Sequence, residues 1–166
     1  MGRFTSTGFG VAALGLGLLG AAAFAPPASA VSSMSEAKLS HAEAAAKFAA
    51  AGITTSSSGR CSDRENPECT SLEQINQTTV DGVLALRAAG GCAVVITGGT
   101  EVGHAALPYS HYLGYKVDIR LTSCVNSYIR RTFTPVVPPA LGSEQYRSAD
   151  GDLYSYEGNH WDIEYH

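Results

Sequence analysis

The sequence predicts an α+β domain: a small antiparallel sheet with flanking helices, supported by disulfides. Three observations carry this. Helix-type patterns come early, over 33–51 and 80–89. Strand-type alternation comes late, over 115–121 and 160–165. Four cysteines follow an export-type leader. Helices and strands that segregate along the chain point to α+β, not to alternating βαβ units.

The chain has 166 residues, 45% of them apolar and 16% charged, with a net charge of -4. That composition describes one folded domain and excludes general disorder. Eleven Lys and Arg against 15 Asp and Glu leave no basic excess, which excludes an ordinary nucleic-acid binder.

Residues 1–30 read as a secretory signal peptide. Arg3 precedes an apolar run from Phe9 to Ala25, Pro26 and Pro27 end it, and Ala28-Ser29-Ala30 is a small-x-small cleavage site. The run is short and glycine-diluted and lacks a basic flank, so a membrane anchor is the weaker reading. A secreted, monomeric protein without membrane contact after cleavage is expected. Export in turn predicts oxidised cysteines. Cys61, Cys69, Cys92 and Cys124 contain no Cys-x-x-Cys pair, which argues against a cysteine zinc site. Three pairings are open. The favoured one joins Cys61 to Cys69 around a polar loop and Cys92 to Cys124 between strand and helix, each contributing roughly 2–4 kcal/mol.

Residues 31–60 read as an N-terminal helical arm and a Ser/Thr linker. Ser33 and Glu36 stand in capping-box relation, and an Ala-rich helix runs to Ala51 and stops at Gly52. With only Leu39 and Phe48 as large anchors, it reads as loosely docked. The compact domain is expected over 61–166. Thr79 can cap a helix from Val80 to Ala89 that ends at Gly90-Gly91. Cys92 to Thr97 is a buried strand, and 98–114 a long loop rich in Gly, His and Tyr. In 115–121, Tyr115, Val117, Ile119 and Leu121 face one way and Lys116, Asp118 and Arg120 the other. A helix over 123–133 follows, and Pro135, Pro138 and Pro139 force a surface excursion. The last strand sets Trp161, Ile163 and Tyr165 against His160, Asp162 and Glu164.

The chemistry lies on those polar faces. A tight turn at Gly114 can fold His111 back over the strand face that carries Asp118. His160 opens the last strand, three residues after Glu157. Two imidazoles and a carboxylate are ordinary ligands of tetrahedral zinc and leave a fourth position for water. A free carboxylate beside them can take that water's proton.

Ser110-His111-Tyr112-Leu113-Gly114-Tyr115-Lys116-Val117-Asp118 resembles the Ser-x-His-x-x-Gly-x-x-x-Asp signature of the zinc D-Ala-D-Ala carboxypeptidases and dipeptidases, whose fold is shared with the hedgehog signalling domain. Glu157-Gly158-Asn159-His160-Trp161 is similar to that family's Glu-x-x-His-Trp segment. The similarity spans about Cys92 to Tyr165. It implies Zn2+ held by His111, Asp118 and His160, with Glu157 as catalytic general base. It also implies a peptide substrate, a peptidoglycan stem peptide by analogy. Two departures stand out. Where members commonly carry an oxyanion-binding arginine, this chain has Glu101, and His104 or Arg120 would have to substitute. Where some relatives place a ligand histidine, it has Asp162, which makes Asp162 an alternative third ligand, with His160 then supporting.

The expected function is a secreted zinc peptidase. The alternatives are an inactive zinc-stabilised peptide- or glycan-binding module on the same scaffold and a metal-free disulfide domain. Trp161 is expected in the core, Tyr109 and Tyr112 along a groove or packed in their loop, and His41 and His166 on the surface. Asn76-Gln77-Thr78 is a glycosylation sequon.

Overall fold

The computed structural model describes residues 36–137 and 142–166. The signal peptide, its cleavage site and Ser33 lie outside the described residues, as do Pro138 and Pro139. The described residues fall within one compact unit.

The described chain begins with β1 (Lys38–Leu39), α1 (His41–Ala50) and β2 (Thr54–Thr55). β3 (Ile75–Asn76) leads into α2 (Gln77–Gly90), then β4 (Val95–Gly98) and β5 (Lys116–Arg120). After α3 (Ser123–Thr132) come β6 (Thr134–Pro135), β7 (Gln145–Arg147), β8 (Leu153–Tyr156) and β9 (His160–Glu164).

The α+β class holds, but the main sheet is larger than expected and mixed. Its seven strands run in the order β2-β4-β5-β9-β8-β7-β6, and β2 pairs parallel with β4 while the other pairs are antiparallel. β1 and β3 make a separate two-stranded antiparallel sheet. The short strands β1, β2, β3, β6 and β7 carry too few residues for a period of two to show in the sequence.

α1 starts later than the Ser33/Glu36 pair predicts. Ser40 is its N-cap, and its side chain and that of Glu43 form the reciprocal capping box. The arm expected over 31–60 is not loosely docked in its described part. Ala44 and Phe48 are fully buried in the core, and Thr54–Thr55 extends the main sheet. Alanines pack closely there, so the helix needs few large anchors. Asn76 rather than Thr79 precedes α2, and Thr79 instead donates to Gly114 O at 2.8 Å. Asn76 is fully buried, so the sequon is closed to glycan in the folded protein.

The alternation over 115–121 and 160–165 is followed closely. Val117, Ile119, Trp161 and Ile163 are fully buried on the core face. Trp161 Nε1 donates to Asn126 Oδ1 at 2.9 Å, which satisfies the indole where it is buried. The disulfides are Cys61–Cys69 and Cys92–Cys124, the favoured pairing. Among the described residues, no helix is long and apolar enough to cross a membrane.

Candidate metal centre

β5 and β9 are adjacent, with Asp118 opposite Asp162 and Arg120 opposite His160. Their outward faces therefore put Asp118, His160 and Asp162 on one patch. The loop between β4 and β5 supplies His104 and His111. Its last turn depends on Gly114, whose φ of +82° is left-handed and where a Cβ would lie 2.5 Å from Gln74 O. Gly114 N–H donates back to His111 O at 2.7 Å, which lays His111 over β5. Glu157 and His160 flank the β8–β9 turn, and Glu157 N–H donates to His160 O at 3.0 Å. That two-residue turn is the physical origin of the Glu-x-x-His spacing.

The side chains converge. His111 Nε2 lies 3.3 Å from Asp118 Oδ1, and His160 Nε2 lies 3.4 Å from the same oxygen. Asp118 Oδ1 is buried and has no hydrogen-bond partner; both imidazoles are near it without being aligned to donate. His160 Nε2 is also 3.4 Å from Glu157 Oε2, and His111 Nε2 is 3.3 Å from Asp162 Oδ2. These groups and Lys116 line a cavity of about 200 Å³.

His104 joins them. Its ring stacks on His111 with centroids 3.9 Å apart, and its Nδ1 is 3.8 Å from Asp118 Oδ2. One ligand atom each from His104, His111 and Asp118 lie within 4.8 Å of one another, a group that could hold a metal ion. By sequence, His104 is expected only as a substitute for the missing arginine. The histidine itself was visible, but no motif spacing tied it to Asp118.

The surrounding hydrogen bonds orient these groups. His111 Nδ1 is 2.8 Å from Gly99 O, so that nitrogen donates and Nε2 is turned to the cavity, the usual outer support of a metal-binding histidine. Burial pushes the His111 imidazole down, but the Asp118 and Asp162 carboxylates beside it outweigh that and push it up to about 9. A cationic His111 thus balances the two carboxylates in the metal-free protein, and a divalent cation would displace its proton. Lys116 Nζ sits 3.0 Å from Asp162 Oδ1. Burial opposes ionisation of Asp162, yet His111 and Lys116 hold its carboxyl below the usual carboxylate range.

Glu101 stands apart from the chemistry. It is buried, and its Oε2 accepts from Ser71 N–H at 2.7 Å and from Gly99 N–H at 3.1 Å, while Oε1 is 3.3 Å from His104 Nε2. Its carboxylate anchors the turn after β4. Arg120 is directed elsewhere and donates to Ser56 Oγ at 3.1 Å. Lys116, on the same strand face as Asp118, is the ammonium group that lines the cavity. His41 is structural as well as partly exposed, its Nδ1 accepting from Leu72 N–H at 3.0 Å.

Compared with protein-family models, curated proteins and solved structures, the chain matches none.

Proposed function

We propose that the protein is a secreted zinc-dependent peptidase on a hedgehog-like scaffold, acting on short peptides of the cell-wall stem type. The observation that carries the reading is the buried, unpartnered Asp118 Oδ1 with His111 Nε2 at 3.3 Å and His160 Nε2 at 3.4 Å. Ligand atoms about 2.0–2.2 Å from a tetrahedral zinc lie about 3.4 Å from one another, so each of these two spacings suits a pair of ligands on one ion, while the three residues whose ligand atoms all lie within 4.8 Å of one another are His104, His111 and Asp118. His111, Asp118 and His160 would hold it. Asp162 is the poorer third ligand because Lys116 already occupies its carboxylate.

When bound, zinc supplies Lewis acidity, polarising a carbonyl and making a water easier to deprotonate. Glu157 stands beside His160 on the cavity wall, half exposed and unburdened by a cation. It accepts a proton from water and returns it to the departing amine. His111 is kept in one orientation by Gly99 O, and Lys116 offsets part of the negative charge that Asp118, Asp162 and Glu157 place around the cavity. Export is supported by the signal-type leader and by two disulfides.

One observation favours a rival reading. His104, not His160, completes the group with His111 and Asp118, and if His160 ligates as well, four protein ligands make a closed, structural zinc site. The protein would then be a zinc-stabilised binding module. Metal analysis and peptide cleavage separate the readings. Stoichiometric zinc with hydrolysis of a peptide ending in D-Ala-D-Ala is expected. Stoichiometric zinc without hydrolysis of any stem peptide supports the module, and a metal-free protein overturns both.

A further inference from the structure

We propose that the larger cavity beside the metal centre is a subsite for a bulky apolar side chain of the peptide substrate, next to the bond that is cut. This rests on the peptidase reading above. The cavity measures about 440 Å³ and is walled largely by Val102, Ala106, Leu107, Tyr112 and Leu113. It shares His104, Ala105 and Leu107 with the smaller cavity that holds Asp118, Glu157 and His160. A chain lying across the metal centre therefore runs directly into it.

The wall is exposed and apolar. Leu107 is 53%, Tyr112 41% and Leu113 46% exposed. Water around such a concave apolar cluster favours an apolar occupant. No lysine or arginine lines the cavity, and the carboxylates next door repel an anionic one. A volume of about 440 Å³ lies within the range of small-molecule sites, roughly 300–1,000 Å³. An alanine methyl would leave most of it to water.

The wall is also built in advance. Arg64 lies with its guanidinium carbon 3.8 Å from the centre of the Tyr112 ring. Its Nε donates to Thr100 O at 3.3 Å, and its terminal nitrogen donates to Tyr112 O. Val102 N–H donates to Arg64 O at 2.9 Å. The Cys61–Cys69 disulfide closes the segment that carries Arg64. The loop is thus held at both ends before any ligand arrives, which lowers the ordering cost of binding. Among peptides, such a subsite speeds cleavage when a large apolar residue stands beside the cut bond, with alanine there still cleaved but more slowly.

Two measurements test this. In the first, EDTA-treated protein is titrated with N-acetyl-phenylalaninamide and with N-acetyl-alaninamide while the methyl resonances of Ala106, Leu107 and Leu113 are followed. The phenyl compound should shift them saturably and the alanine compound should not. Ala106→Trp, or Leu107→Ser if that variant does not fold, should remove the response. In the second, zinc-loaded protein is given two peptides differing by Phe for Ala at one position beside the bond. The Phe peptide should have at least about 10-fold higher kcat/KM, the usual worth of filling an apolar pocket. Methyl shifts without cleavage of any peptide would leave an apolar ligand site beside the centre but overturn its role as a substrate subsite together with the peptidase reading. Equal cleavage of both peptides without methyl shifts would overturn the subsite and leave the peptidase. Shifts that depend on protein concentration alone would assign the patch to a second copy and also overturn the subsite.

Discussion

The imidazole of His104 lies flat on that of His111, with centroids 3.9 Å apart and planes 18° from parallel. The two rings do different work. His111 is buried, bound to Gly99 O through Nδ1 and directed at Asp118 through Nε2. His104 is half-buried, is steadied by Glu101, and its Nδ1 stays 3.8 Å from Asp118 Oδ2.

The stacked pair can be resolved by metal affinity. His111→Ala should abolish stoichiometric zinc, since two remaining ligands rarely hold the ion. His104→Ala should retain it with affinity weakened about 10–100-fold, as for loss of an outer support. Competition with a chromophoric chelator measures both. Equal loss in the two variants would make His104 a ligand and favour the closed site.

Glu157→Gln preserves size but cannot accept a proton. It should bind zinc normally and lose peptidase activity by roughly 100-fold or more. Asp162→Asn should have the milder effect on activity and little effect on metal content. Loss of zinc in Asp162→Asn, with activity surviving in Glu157→Gln, would exchange their roles.

Gly98 faces Asp118 across the β4–β5 ladder. A Cβ there would lie 2.3 Å from Asp118 Oδ2. Gly98→Ala should therefore displace the carboxylate. It should cost about 1–3 kcal/mol in urea unfolding, as overpacking does, and it should lower zinc affinity in protein that remains folded. Unchanged affinity would show that Asp118 does not ligate.

Cys92 and Cys124 are 32 residues apart and Cys61 and Cys69 only 8. By loop-closure entropy, replacing the longer pair with alanines should cost roughly 3.5–4 kcal/mol and the shorter about 2.5 kcal/mol. Urea unfolding gives the difference. Thiol titration of the unreduced, denatured protein should find no free thiol, and two or more would contradict full oxidation.

Much of the site was legible because it depends on local periods. Alternation placed Asp118, His160 and Asp162 on the outward faces of β5 and β9, opposite Ile119, Trp161 and Ile163, since successive side chains point to opposite faces of a strand. Gly114 was readable as the turn that returns His111, and Glu157 as lying three residues before His160, whereas the β8–β9 turn that joins them was not. Cys61–Cys69 and Cys92–Cys124 were favoured on sequence position and are the disulfides present.

What only the tertiary structure decided involves contacts between distant segments. β5 lies next to β9, which brings Asp118 and Asp162 together from 44 positions apart. α1 belongs to the core because Ala44 and Phe48 meet elements that the sequence does not place near them. Glu101 is a turn anchor, since Ser71 N–H and Gly99 N–H converge on it. The same holds for His104 at the metal centre and for the apolar wall of Leu107, Tyr112 and Leu113. Periodicity tells a residue which face it occupies, but long-range pairing decides what stands opposite that face, and that pairing is set by the packing of the whole domain.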